Sequence, residues 1–150
     1  MSLPQALLLR WTLVPMCWML STCYSVETLY ASIALVVLTV TYNEWKAHSG
    51  HWLVRNTVNA AGFASFEVGA TLVAGYNARR LDEVAISSVA ISAGIFATTI
   101  HAQDFKDVDG DSAIGRRTIP IVFPSIARYT VIVPLTLWSI GLAFVGSLNQ

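Results

Sequence analysis

Charge is what this chain has least of. Only 12% of its 150 residues are Asp, Glu, Lys or Arg, while 55% are hydrophobic. That is about half the charge of an ordinary soluble domain, and the mean hydropathy is +0.58. So little charge excludes a typical soluble fold and predicts an all-α integral membrane helical bundle, multi-pass, with the lipid bilayer as its main neighbour. Lysine and arginine together number nine and aspartate and glutamate nine, for a formal net charge of zero. No basic surface is left for nucleic acid, which is excluded as a partner. Cysteine is equally sparse. Cys17 and Cys23 are spaced like neither a metal motif, a redox motif nor a secreted disulfide framework, so inert packing thiols are expected. The three histidines are not arranged as a zinc set. No basic leader or small-residue cleavage site precedes the first apolar run, and Arg10 interrupts that run, so a removable signal peptide is not expected.

What is present is a series of apolar runs. The first predicted helix covers Pro4 to Cys23, with Pro4 in its first turn and Pro15 as a kink. The second covers Leu29 to Thr41 and ends in Tyr42-Asn43-Glu44. Trp45 and Trp52 frame a polar interfacial loop. The third helix covers Leu53 to Tyr76 and closes on the charged turn 77–83. The fourth covers Val84 to Ala102 and carries Ser87, Ser88, Ser92 and Gly94, small residues that let helices approach closely. The fifth covers Ser125 to Leu148. No internal repeat or linker divides the chain, so a single domain is expected. Successive spans alternate sides, which places the start of helix one and the loops at residues 43–55 and 101–125 on one face. That face carries Arg10, Lys46, Arg55, Lys106, Arg116, Arg117 and Arg128; the other carries Arg79 and Arg80. The first face is therefore expected to be cytosolic.

The stretch HAQDFKDVDGDSAIGRRTIP, from His101 to Pro120, breaks the apolar pattern. It gathers Asp104, Asp107, Asp109 and Asp111, four of the chain's nine acidic residues, beside Lys106, Arg116 and Arg117. Charge at the mouth of a membrane helix is costly and marks a site. Carboxylates offer hard oxygen ligands for magnesium and the cations suit phosphate oxygens. A diphosphate satisfies both. At ~100° per residue Asp104, Asp107 and Asp111 fall within about 60° of one another on a helix, with Asp109 pointing elsewhere. Gly110 weakens any such helix, so convergence is expected chiefly for the first two. The run opens like an EF-hand from Asp107, but Ser112 stands at the sixth position where Gly is needed and Thr118 at the twelfth where Glu is needed. On helix three, Arg55, Asn56, Asn59, Phe63, Phe66 and Glu67 share about 120° of circumference, so one stripe faces something polar. Glu67 lies about 18 Å deeper than Arg55. It is a functional candidate, or a structural glutamate hydrogen-bonded to a neighbouring helix.

The string QDFKDVDGDSAIGRRTIP closely resembles the second aspartate-rich motif of the UbiA-type prenyltransferase superfamily. That motif has roughly the form K/Q-D-x-x-D-x-E/D-G-D followed by G-x-x-T-x-P, and the wording here looks most like fungal members. The resemblance implies a nine-helix membrane fold, of which these helices would be the third through seventh, about five transmembrane spans. It implies a Mg2+ site in which Asp104, Asp107 and Asp111 are the catalytic, metal-binding aspartates, and a prenyl diphosphate whose allylic C–O bond ionises. Lys106, Arg116 and Arg117 are assigned to the diphosphate on charge and position. Arg55, Asn59, Asn43 and Tyr42 are further substrate-binding candidates on the same face, and Tyr42, Phe63 and Phe66 could stabilise a cation.

The family's first motif, N-x-x-x-D-x-x-x-D, is not found. Asn43 has no aspartate at the required distance, and Asn77 with Asp82 has the wrong spacing and falls on the other face. The opening MSLPQALLLRW resembles sequence just downstream of that motif, so Met1 is expected to be an internal start of a longer protein, and the isolated chain is expected to ionise substrate poorly. The leading expectation is isoprenyl transfer from a prenyl diphosphate to a hydrophobic acceptor in a membrane. A UbiA-type terpene cyclase and a non-catalytic remnant or interaction subunit are the alternatives.

Overall fold

The structure, a computed structural model, describes residues 2–75 and 79–148. Five long helices dominate: α1 (Leu3–Thr22), α2 (Val26–Asn43), α3 (Trp52–Ala74), α4 (Glu83–Thr99) and, after two short helices, α7 (Tyr129–Leu148). The short ones are α5 (Val108–Ala113) and α6 (Ile119–Val122). Each long helix packs on the next in chain order, α1 on α2, α2 on α3, α3 on α4 and, across the longer connection 100–128, α4 on α7, as consecutive elements usually neighbour one another.

Local chemistry fixes where the helices begin. Pro4 occupies the first turn of α1, and the Ser2 amide donates to Gln5 Oε1 at 2.9 Å. Ser25 caps α2 by accepting from the Thr28 amide at 3.0 Å. His51 Nδ1 accepts from Leu53 at the start of α3, and Asp82 Oδ1 accepts from Ala85 at 2.7 Å at the start of α4. Such caps satisfy amides that the helix leaves unpaired. The expected end of helix three at Tyr76 and the expected turn residues Asn77 and Ala78 lie outside the described residues.

Among the described residues three segments are long and apolar enough to cross a membrane: Val26–Asn43, Glu83–Lys106 and Tyr129–Ser147. The other two long helices, α1 and α3, have 20 and 23 residues, enough for a crossing at 1.5 Å per residue. Their hydropathy is diluted, in α1 by Gln5, Arg10 and two prolines, and in α3 by the stripe that carries Arg55, Asn56, Asn59 and Glu67.

Two sequence expectations need correction. The fifth long helix begins at Tyr129, not Ser125, because 124–128 form turns that start at Pro124. Cys17 and Cys23 form no disulfide and are exposed, not packed inside: Cys17 lies on α1, which buries none of its residues, and Cys23 caps its end. The small residues of α4 serve as expected at one point: a Cβ on Gly94 would lie 2.8 Å from Trp138 Cζ2 of α7. The same indole donates from Nε1 to Thr98 Oγ1 at 3.2 Å.

Polar links gather the loops at one end of the helices. Arg10 on α1 pairs with Glu44 after α2 at 2.9 Å. A parallel bridge joins the backbones of His51 and Arg117, and Arg55 on α3 pairs with Asp104 after α4. The start of α1 and the loops at residues 43–55 and 101–125 therefore share one face, as alternation of spans requires.

Candidate active site

The spacing D-x-x-D-x-x-x-D is three residues, then four. The backbone converts those numbers into geometry. After α4 the chain tightens into a 3-10 segment, Ile100–Lys106, and the Asp107 amide donates to the Asp104 carbonyl at 3.2 Å. At Asp107 (φ −125°, ψ 24°) the chain breaks and α5 begins. The Asp111 amide then donates to the Asp107 carbonyl at 2.8 Å, and the Arg116 amide to the Asp111 carbonyl at 2.9 Å. In a 3-10 turn residues i and i+3 eclipse, and in an α turn i and i+4 share a face. The three aspartates line one pocket through a change of helix type at Asp107, whereas the spacing alone led to convergence chiefly for the first two. Gly110 permits this, because a Cβ there would sit 2.6 Å from Asp107 Oδ1. Gly115, at φ +73°, turns the chain back so that Arg116 faces the aspartates and Arg117 runs on to its bridge with His51.

Arg55, Gln103, Asp104, Lys106, Asp107, Asp111 and Arg116 enclose a polar pocket of about 180 Å³. Arg55 meets Asp104 fork to fork, Nη1 donating to Oδ2 and Nη2 to Oδ1. Arg116 Nη1 donates to Asp111 Oδ1 at 2.8 Å. Asp104 and Asp111 are 3% and 2% exposed and Arg55 5%. Each arginine also buries an Nε for which the described residues supply no partner. The Tyr42 hydroxyl neighbours the Arg55 guanidinium closely enough to interact with it.

Beside this pocket lies a second cavity of about 430 Å³ between α2, α3 and α4, lined by Leu35, Leu38, Tyr42, Asn43, Asn59, Phe63, Phe66, Phe96 and Ile100. Phe63 and Phe96 stack across it with centroids 4.3 Å apart. Gln103 lines both spaces and is the hinge between a charged chamber and an aromatic one.

Of the candidate residues, Asp104, Asp107, Asp111, Lys106, Arg116 and Arg55 come together in the charged pocket. Tyr42, Asn43 and Asn59 line the aromatic cavity, where the Asn43 amide donates to the Thr39 carbonyl of its own helix. Arg117 lines neither space and is exposed, as is Asp109. Glu67 Oε1 accepts from Ser92 of α4 at 2.7 Å, so the stripe on α3 is divided between the two chambers and the α3–α4 contact. The sequence reading missed Gln103 and Phe96. Gln103 could have been found from its place beside Asp104 in the motif; no local signal marks Phe96.

As a donor set, the aspartates suit magnesium, which is held by one or two carboxylates and completed by phosphate oxygens and water. No group of three His, Cys, Asp or Glu side chains among the described residues is placed to hold one metal ion, so a metal here would need ligands beyond these side chains.

The chain belongs to the UbiA prenyltransferase family, whose model matches residues 1–150. Among curated proteins it is similar to the fumagillin beta-trans-bergamotene synthase of Aspergillus fumigatus, 37% identical over 118 residues, 77% of this chain and 38% of that protein. It is also similar to a diterpene cyclase of Hericium erinaceus, 27% identical over 75% of this chain and 35% of that protein. A polyprenyl transferase of the same fungus is 31% identical over 61% of this chain and 31% of that protein. The chain thus spans about a third of the length of the relatives it matches. No solved structure matches it.

Proposed function

We propose that this chain forms the second-aspartate-motif part of a membrane enzyme that ionises a prenyl diphosphate with Mg2+. The observation that carries the reading is the seam at Gln103, where a pocket of carboxylates and cations opens beside an aromatic cavity. A prenyl diphosphate has that same division, a polyanionic head and an apolar tail. In this reading Asp104, Asp107 and Asp111 would offer carboxylates to the metal, which would supply charge neutralisation of the leaving diphosphate. Arg55, Lys106 and Arg116 bind the diphosphate oxygens, and Arg117 stands nearby at the loop surface. Preorganised charge aimed at the departing group is the main source of acceleration in such a step. The rings of Tyr42, Phe63, Phe66 and Phe96 shelter the allylic cation from water and stabilise it through their faces. The charged face is cytosolic by its excess of lysine and arginine.

Two fates of the cation are distinguished by who receives it. Cyclisation within the prenyl chain is favoured by the names of the relatives at 37% and 27% identity. Transfer to a hydrophobic acceptor is favoured by the relative at 31%, a polyprenyl transferase. Incubating the full-length protein in lipid with a prenyl diphosphate and Mg2+, without acceptor, separates them. A cyclic hydrocarbon with released diphosphate is the expected result. Product only after an acceptor is added would establish transfer, and no diphosphate release under either condition would leave the non-catalytic reading standing.

A further inference from the structure

Resting on that reading of the site, we propose that Arg55 and Asp104 are an exchangeable pair: Arg55 holds Asp104 when the site is empty and passes to the diphosphate when a divalent cation takes Asp104. The pocket is balanced as it stands, with Asp104, Asp107 and Asp111 against Arg55, Lys106 and Arg116. Lys106 and Asp107 are exposed and can each offer one contact to a lone ion. To engage Arg55 a lone anion must strip it from Asp104, and to engage Asp104 a lone cation must strip it from Arg55. Either move strands a buried charge, which costs far more than losing a surface pair.

The cost is concentrated in one of the two ion pairs. The side chains of Arg55 and Asp104 are 7% and 2% exposed, whereas Arg116 is 26% exposed and can turn to solvent when Asp111 is taken. Arg55 has no such exit. Its Nε is buried and unpartnered among the described residues, and its guanidinium lines the same pocket as the three aspartates. It therefore has a donor in reserve and needs only a new acceptor at short range. When cation and diphosphate arrive together both requirements are met at once: the cation compensates Asp104 and the diphosphate compensates Arg55. Arg55 acts here as a positioning residue for Asp104 in the empty site and as a diphosphate ligand in the filled one.

The test is titration calorimetry on the full-length protein in lipid nanodiscs, using MgCl2 alone, inorganic diphosphate alone and each with the other saturating, corrected for their association in buffer. In the wild type each should tighten the other by about 10- to 100-fold, a coupling that must be reciprocal. Any bridging metal gives some synergy, so the deciding result is Arg55→Gln. That variant should bind Mg2+ alone about tenfold more tightly, because Asp104 is released, and bind diphosphate in saturating Mg2+ at least tenfold more weakly. Arg55→Lys, which keeps the charge and loses the fork, should fall between and decides the matter if the glutamine variant does not fold. Arg55 variants that bind Mg2+ no more tightly than wild type would overturn the exchange while leaving the site reading intact. A wild-type protein that binds neither probe would overturn both.

Discussion

Arg55, Asp104 and Asp111 are between 2% and 5% exposed, whereas Leu137, Ile140 and Phe144 on α7 are between 62% and 64% exposed. One end of the molecule buries these three charges while the helical shafts display their hydrocarbon, the reverse of a soluble domain. The difference shows which interactions specify the arrangement. Apolar surface that faces lipid or another membrane helix gains nothing by being hidden from it, so helix association relies on close packing and polar contacts. At the charged end, mispairing Arg55 and Asp104 strands a buried charge, so that link fixes register. The exposed pair Arg10–Glu44 and the backbone bridge His51–Arg117 add less, and contacts such as Gly94 against Trp138 fill in the rest.

The comparison breaks most severely at Arg55. Replacing it by Ala leaves Asp104 buried without a counter-charge, and stability should fall by about 3–5 kcal/mol, read as a lowered midpoint of unfolding in detergent or nanodiscs. Neutralising Asp104 or Asp107 as Asn in the full-length protein should reduce diphosphate release about 10²- to 10³-fold and abolish metal-dependent diphosphate binding; unchanged binding in either variant would remove these residues from the metal site. Gly110→Ala tests geometry alone. The added Cβ displaces the mobile end of Asp107, so unfolding should shift little while Mg2+ affinity falls about tenfold, the scale seen when a ligand's support is removed. On the shaft side, Ser92→Ala deletes one hydrogen bond to Glu67 and should cost only about 0.6 kcal/mol. Asp109→Asn, outside the pocket, should leave both readouts within about 0.5 kcal/mol of wild type.

Much of this was legible in the chain. Long apolar runs give the five long helices, because 3.6-residue periodicity and hydrocarbon thickness leave few other solutions. The motif spacing gave the three aspartates, and the polar stripe on α3 pointed to Arg55, Asn59 and Phe63. What could not be read was which partner each would meet. Arg55 and Asp104 are 49 residues apart, and no local pattern encodes a pairing made by the folding of α3 against α4. The break at Asp107 was hidden for another reason: offsets of three and four both belong to a helix, and only the carbonyl that each amide chooses tells a 3-10 turn from an α turn. Phe96 sits in an unbroken apolar helix, where nothing distinguishes a cavity-facing ring from a lipid-facing one.

The pairing of Arg55 with Asp104 also sets an order of events during synthesis. At about 5–20 residues per second, the 49-position separation takes about 2–10 s to be made. Throughout that interval α3 carries an arginine whose carboxylate does not yet exist. Its place in the first turn of α3, three residues after Trp52, lets it wait in the headgroup layer while the rest of the helix settles. Its carboxylate arrives only when the chain returns through α4 with Asp104, so the site cannot close before that helix has been made.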